Sequence, residues 1–316
     1  MDLSIICVNW NSVDYLRECI ASIHEHTQGL EFEIIVVDNA SPQRNVDILK
    51  EEFPDVTILK SQENIGFAKA NNLGFRHSTG EYVMFLNPDT KLMERSISTM
   101  LEAIKSMPDA GIVGCKLLNA DLSVQLSSIQ KFPTILNQAL DAEYLQLRWP
   151  HCPLWEIAPL FSEEAKLQRV EVISGACMLL KRSVFEGVGM FSEDYFMYAE
   201  DLDLNFKVKR AGFTNYYVGG TRIIHYGGKS SSRQQVSQWS TILKHRAMRR
   251  LFRKMRGRPY EWMYRAAMGC VALGRLSILA VMFPFGDRES LRHSADKWKT
   301  ILRCAIGVQD LAIEDR

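Results

Sequence analysis

Tyr82–Thr90 reads YVMFLNPDT, a short apolar run that delivers Asn87, Pro88 and Asp89 to its C-terminal end. A carboxylate at the mouth of a buried parallel strand is well placed to hold a divalent cation, and the preceding proline removes a backbone donor and stiffens the turn. Open α/β sheets bind their ligands at that edge. Taken alone, Asp89 reads equally well as the carboxylate that starts the next turn.

Three upstream segments have the same form. Leu3–Val8 runs into Asn9, Trp10 and Asn11; Ile34–Val37 runs into Asp38, Asn39 and Ser41; Val56–Leu59 leads to Glu63, Asn64 and Gly66. Near-continuous apolar runs are the pattern of parallel strands covered on both faces. The intervening periodicity predicts helices near Val13–His26, Gln43–Phe53 and Phe67–His77, giving an alternating β-α order with polar residues gathered at one sheet edge.

Seven stretches, in order, carry a resemblance to a known family: VNWN at 8–11, VVDNAS at 36–41, ENIGFAKANNLG at 63–74, LNPDT at 86–90, ISGACMLLKR at 173–182, YAEDLDL at 198–204 and HYGGKSS at 225–231. The chain resembles the GT-A fold glycosyltransferases of family 2, which transfer a sugar from a nucleotide donor. The resemblance covers about the first three quarters of the chain. It implies an α/β, Rossmann-like nucleotide-binding fold with a mainly parallel central sheet over residues 1–232; the basic and apolar pattern beyond it reads as a helical C-terminal region over 233–316.

The resemblance also implies roles. Asp38 matches the position that accepts the N3 hydrogen of a uracil or thymine ring, with the backbone of Val8 and Asn9 beside it; its plain alternative is an Asx-turn or helix cap feeding Ser41 and Pro42. Asn64 and Gly66 follow the third strand, where glycine permits a close approach to a ligand. Asn71 and Asn72 lie on the next helix and would contact the donor or merely bond the loop. Asp89 would hold Mg²⁺ or Mn²⁺ bridging the two phosphates, with His225 as a further ligand, although a lone histidine at a strand end is commonly structural. Position 87 is Asn where the fuller D-x-D motif has an acid, so the site has one charge fewer, and Asn87 can offer only its carbonyl oxygen. The HYGGKSS loop, with Gly227, Gly228, Lys229 and Ser230–Ser232, would wrap the phosphates.

The acceptor hydroxyl needs a general base. Glu200 and Asp201 open a predicted amphipathic helix, and consecutive residues cannot share one helix face. By resemblance to the family's ED motif Asp201 is the base and Glu200 orients the acceptor. The plain alternative is a pair of acids favoured by the helix dipole. Asp203 reads as a solvated or capping residue. Ser174–Ala176 is a small-residue break, either a close-approach point or a packing bulge. The aromatic- and proline-rich stretch 127–166 reads as an acceptor loop, a lid or a surface insertion. A single displacement with inversion is the economical reaction, since no second carboxylate is evident as a nucleophile.

Composition narrows the setting. The 316 residues are 47% hydrophobic and 24% charged, enough for one large domain with an appendage. Seven scattered cysteines without C-x-x-C spacing point to free thiols in a reducing compartment, and no secretory signal is visible, so a cytoplasmic enzyme with a cytosolic donor pool is expected. Residues 244–316 carry 16 Lys/Arg against 7 Asp/Glu, while the preceding residues sum to −8. Within this region Lys244–Arg258 holds 8 basic residues and no acid, and Ala266–Phe285 is apolar except for Arg275 and Ser277. Arginine at the centre of a spanning helix costs about 2.5–3.5 kcal/mol, which favours an interfacial or re-entrant helix pair on anionic lipid at the inner face of the membrane. A buried helix or a homodimer surface is the alternative. Nucleic acid is disfavoured, since no stacking-aromatic module accompanies the basic run.

Short family members with these motifs and such a C-terminus look like bacterial rhamnosyltransferases, which use dTDP-L-rhamnose and act on lipid-linked glycans in cell wall or O-antigen synthesis. UDP-hexose or UDP-galactofuranose transfer would use the same residues. A nucleotidyltransferase would need a glycine- and lysine-rich loop near the first strand, which VNWNSVDYLREC lacks, and a non-catalytic lipid-bound scaffold stays open because of Asn87.

Overall fold

The structure, a computed structural model, describes residues 1–42, 46–140, 148–149, 152, 167–227, 238–284 and 287–308. Four strands built from the apolar runs, β1 (Leu3–Asn9), β2 (Phe32–Asp38), β3 (Thr57–Lys60) and β4 (Tyr82–Leu86), pair in parallel in the order β3-β2-β1-β4. Every residue of β1 and β4 is buried, as the unbroken hydrophobic runs require, whereas edge strand β3 is partly exposed. The register sets Asn9 opposite Asp38 and Asp38 opposite Lys60, which brings the polar strand ends level.

Helices α1 (Val13–His26), α2 (Ile48–Glu52) and α3 (Phe67–Arg76) make the crossovers. The second is shorter than its predicted span, and residues 43–45 lie outside the described residues. After β4 come β5 (Thr90–Leu92), α4 (Ser96–Ser106) and β6 (Ala110–Leu118), then β7 (Ile129–Gln130) and a one-turn α5 (Ile135–Ala139). The chain continues through β8 (Gln168–Val170), β9 (Val172–Ile173), β10 (Cys177–Lys181), α6 (Arg182–Gly187), α7 (Glu200–Arg210) and β11 (Thr214–His225). Strand β10 inserts antiparallel between β4 and β6, β11 adds parallel to β6, and β5 and β8 pair antiparallel with β11.

One core lies between the sheet and α1 and α4. Across the sheet, Phe75, Phe85, Phe185 and Phe191 form an aromatic cluster with neighbouring ring centroids 4.7–5.4 Å apart. Asn72, buried on α3, fixes this cluster's last member: its Nδ2 donates to the Phe191 carbonyl (2.9 Å) and its Oδ1 accepts from the Phe191 N–H (3.1 Å). Gly66, at φ 82°, is required by the same region, because a Cβ there would sit 2.4 Å from the Phe196 carbonyl oxygen. The close approach that the glycine permits is therefore to the protein's own backbone.

The described chain divides into two units, Met1–Phe132 with Trp149–Phe196 and Glu200–Arg233, and Pro133–Arg148 with Met197–Ala199 and Gln234–Arg316. The second holds α8 (Gln238–Arg256), α9 (Arg258–Met282) and α10 (Arg288–Ile306) around Phe252, Tyr264, Met268, Ala272 and Ile301. Not all of the basic run faces outward. Glu261, 1% exposed, accepts from Arg249 (3.2 Å) and from Arg253 (2.6 and 3.1 Å), while Lys244 lies over the Tyr198 ring and Arg256 over Tyr260. Arg275 packs over Trp298. It thus lies away from a face of α9 on which residues 262, 266, 270, 273, 277 and 281 recur at helical spacing, all exposed and none charged. By length and composition, α9 is the one helix among the described residues that could cross a membrane.

Replacing Asn72 by Ala strands the buried N–H and C=O of Phe191. The variant is expected to lose about 2 kcal/mol in urea unfolding, the cost of leaving such groups unsatisfied, with the far-UV spectrum unchanged.

Candidate active site

The strand ends and the start of α7 supply three groups of polar side chains. In the first, Asp38 Oδ1 accepts from Asn9 Nδ2 (2.7 Å) and from Ser41 Oγ (2.6 Å). Asn9 is wholly buried, and its Oδ1 accepts from the Ser12 N–H and hydroxyl. Its side chain therefore acts as a strut for Asp38, and only the backbone of Val8 and Asn9 remains for a ligand. Asn64 Oδ1 accepts from Asn39 Nδ2 (2.9 Å) and from the Gly66 N–H (3.1 Å), closing the loop after β3. Asn71 bonds back to the Phe67 carbonyl within α3 (3.0 Å).

The second group is Asn87, Asp89 and His225. Strand β11 pairs with β5 so that His225 stands opposite Thr90, and the Tyr226 N–H donates to the Asp89 carbonyl (2.9 Å). His225 Nε2 thereby lies 3.4 Å from Asp89 Oδ1 and 3.2 Å from Asn87 Nδ2. Asp89 is 1% exposed, and neither of its carboxylate oxygens has a hydrogen-bond partner. A buried carboxylate without hydrogen bonds is costly, so this one, with only the His225 ring beside it, fits an incoming cation. Among the described residues no set of three His, Cys, Asp or Glu side chains forms a metal cluster. The pair fits a cation such as Mg²⁺ or Mn²⁺, which takes one or two protein ligands and completes its shell with phosphate oxygens and water.

The third group is Glu200 and Asp201, the first residues of α7. The chain enters this helix through two consecutive left-handed residues, Tyr198 (φ 72°) and Ala199 (φ 62°). Asp201 Oδ2 accepts from the Gly175 N–H (3.0 Å) and its Oδ1 from the Leu202 N–H (2.8 Å). Burial raises its pKa, and these two donors moderate the rise. Glu200 is buried with Oε2 unpartnered, and burial together with the adjacent Asp201 charge pushes its carboxyl up to about 8. Near neutral pH Glu200 therefore keeps its proton.

The turn at Ser174–Ala176 links the last two groups. Gly175 donates to Asp201, and the Ala176 carbonyl accepts from the Asn87 N–H (3.0 Å). A Cβ on Gly175 would come within 3.1 Å of the Asp201 side chain, which would have to shift by a few tenths of an ångström to admit it. Asp203 corrects its sequence reading: it is 1% exposed and takes a 2.5 Å bond from Ser192, so it is a buried structural acid. Lys229, with Gly228 and Ser230–Ser232, lies outside the described residues, as does most of the aromatic and proline-rich stretch. Two contributors escaped the sequence reading of the site. Ser41 was visible in the DNAS turn but was not assigned to hold Asp38. Gln125 bonds both His225 Nδ1 and the His225 carbonyl across a hundred residues, and no local motif announces it.

A mixed α/β sheet with carboxylates at these strand ends defines a GT-A type glycosyltransferase. Residues 4–189 match the model of glycosyl transferase family 2, and the chain belongs to that family. It is similar to the N-acetylglucosaminyl-diphospho-decaprenol L-rhamnosyltransferase of Mycobacterium tuberculosis, at 29% identity over 92% of this chain and 95% of that one. A rhamnosyltransferase of Escherichia coli is 27% identical over 70% of this chain and 82% of its own. Among solved structures, a mannosyltransferase of Pyrobaculum calidifontis in complex with GDP-Man and Mn²⁺ shares the fold, with a TM-score of 0.59 at 17% identity over 98% of this chain and 87% of that one.

The Glu200 environment has a signature in stability. Its pKa is raised on folding, so between about pH 4.5 and about 8 the unfolded chain releases a proton that the folded protein retains, and stability falls as pH rises through that window. Glu200→Gln is expected to lose less stability than wild type between pH 5 and pH 8 in urea unfolding. An equal decline in both proteins would remove the buried-acid assignment.

Proposed function

We propose that the protein is an inverting, metal-dependent glycosyltransferase that moves L-rhamnose from dTDP-rhamnose to a lipid-linked glycan in the synthesis of bacterial cell-surface polysaccharide. The observation that carries the reading is Asp89, buried with both oxygens unpartnered beside His225 Nε2. Asp89 and His225 would hold Mg²⁺ or Mn²⁺, with Asn87 adjacent. Such an ion supplies Lewis-acid stabilisation of the departing nucleoside diphosphate. The hydrogen bonds from Asn9 and Ser41 to Asp38 both fall on Oδ1, and its Oδ2 would accept the N3 hydrogen of thymine or uracil, while Asn64, Gly66, Asn71 and the backbone of Val8 and Asn9 would shape the nucleotide pocket and Lys229 would meet the phosphates.

Asp201 takes the proton from the acceptor hydroxyl, whose oxygen forms a bond to the anomeric carbon as the bond from that carbon to the diphosphate oxygen breaks. The electron pair leaves with the diphosphate, and configuration inverts. Glu200, protonated, orients the acceptor by donating a hydrogen bond. The rhamnosyl donor is supported by the names of the Mycobacterium and Escherichia relatives, and the lipid-linked acceptor by that of the first.

Residues 233–316 would dock on the inner face of the cytoplasmic membrane. Support comes from the charge-free exposed face of α9, with Trp262, Leu273 and Val281 at 64%, 55% and 72% exposure, in a chain segment rich in Lys and Arg. Arg275 at Trp298 favours lying in the interface over spanning.

A thermal-shift panel of dTDP, UDP, GDP and their sugars, each with Mn²⁺ or EDTA, tests the donor. A ligand at about 100 times its Kd is expected to add about 2.7 kcal/mol, dTDP compounds responding only with metal. A UDP-only response would replace the donor, and an EDTA-insensitive one would remove the metal. Asp201→Asn should keep this shift and lose about 10²–10⁴-fold in turnover; normal turnover would reassign the base. In sedimentation with vesicles, the protein should pellet with phosphatidylglycerol liposomes and less in high salt, and Leu273→Glu/Val281→Glu should stay in the supernatant. A lipid-indifferent protein that self-associates through this face instead would make it a homodimer surface.

A further inference from the structure

Gln125 follows β6, and its backbone is held on both sides. Its N–H donates to the Leu117 carbonyl (2.9 Å), and its own carbonyl accepts from the Ser128 N–H (3.1 Å) and hydroxyl (2.6 Å). Its side chain reaches the far end of β11. There Nε2 donates to the His225 main-chain carbonyl (2.5 Å), and Oε1 lies 2.9 Å from His225 Nδ1.

The main-chain carbonyl can only accept, so the amide must present its NH₂ group to it. Oε1 is then necessarily the atom at Nδ1, and an acceptor at that position requires Nδ1 to carry a proton. In the neutral ring Nε2 is left with its lone pair. The Asn87 amide nitrogen, 3.2 Å from Nε2, can donate to that lone pair. Asp89 Oδ1, at 3.4 Å, cannot, because a carboxylate oxygen is also an acceptor. In the neutral ring two lone-pair-bearing atoms thus face one another in a buried site, and a proton or a metal cation between them reconciles the arrangement.

We propose that Gln125 is a positioning residue that locks His225 in its Nδ1–H tautomer and so aims Nε2 at Asp89 as a metal ligand. The inference rests on the metal reading of Asp89 and His225, and extends it to a side chain that touches neither substrate nor ion. Groups that orient a ligating histidine in this way commonly change metal affinity by about 10–100-fold when removed.

The tautomer can be read without metal or turnover. Long-range proton–nitrogen NMR of the metal-free wild type at pH 8, with the His225 signals identified by their loss in His225→Ala, is expected to show the proton on Nδ1; a proton on Nε2 overturns the proposal. Mn²⁺ binding in the presence of dTDP, followed by electron paramagnetic resonance, gives the second readout. Gln125→Met, nearly isosteric and without polar side-chain donors or acceptors of comparable strength, should bind Mn²⁺ about 10–100-fold more weakly and lose the imidazole nitrogen coupling seen in wild type. Unchanged affinity and coupling in Gln125→Met would overturn the role of Gln125 while leaving the metal site standing. Failure of the wild type to bind Mn²⁺ would remove the metal reading itself.

Discussion

The antiparallel insertion of β10 between β4 and β6 is the constraint on which the site depends. Pairing Cys177 with Leu86 brings the turn before β10 against the end of β4, where the Ala176 carbonyl meets the Asn87 N–H. The next residue back, Gly175, then donates to Asp201. One tight turn of small residues thus ties the loop that carries Asp89 to the helix that carries Asp201, using backbone donors and acceptors that cannot change rotamer. Parallel strands alone would align Asn9, Asp38 and Asn87 at one edge; the antiparallel strand brings in the second carboxylate.

Four buried acids show how differently this chain treats the same functional group. Asp203 is hydrogen-bonded by Ser192, Glu261 is neutralised by Arg249 and Arg253, and Glu200 keeps its proton because burial and Asp201 oppose its charge. Neither carboxylate oxygen of Asp89 has a hydrogen-bond partner. The first two are satisfied within the fold, as structural acids are. Glu200 and Asp89 are not, and both lie at the sheet edge where the chemistry is proposed to occur. Among these four, the two carboxylates with an unpartnered oxygen are the ones to which the proposed chemistry gives a role.

Much of this was legible in the sequence. The runs LSIICV, IIVV and YVMFL are unbroken because the strands they form are covered on both faces, and the polar residues after them mark the functional edge. Asp38, Asp89, Asp201 and His225 were each found at a strand end or helix start. Residues whose role depends on a partner distant in sequence were less legible. Asp203 looks solvated in YAEDLDL because nothing nearby reveals Ser192 closing over it, and Asn72 looks like a loop contact until Phe191 is seen in its grip. Arg249 and Arg253 read as part of a uniform basic surface, yet their partner Glu261 lies on the next helix, two to three turns onward in the chain. Gln125 sits in a stretch with no periodicity and gains its meaning only when β11 returns alongside β6.

The left-handed pair at Tyr198 and Ala199 limits which sequences can lead into α7. That backbone region is strongly disfavoured for side chains branched at Cβ, so Val, Ile and Thr are poor replacements at both positions whatever chemistry they might offer. Glycine would enter it without a steric cost, but would also release the conformations that the present residues exclude. The approach to the carboxylate pair is therefore a place where variation is filtered by backbone shape before side-chain function is tested, and drift there should be slow even at an atom that never meets a substrate.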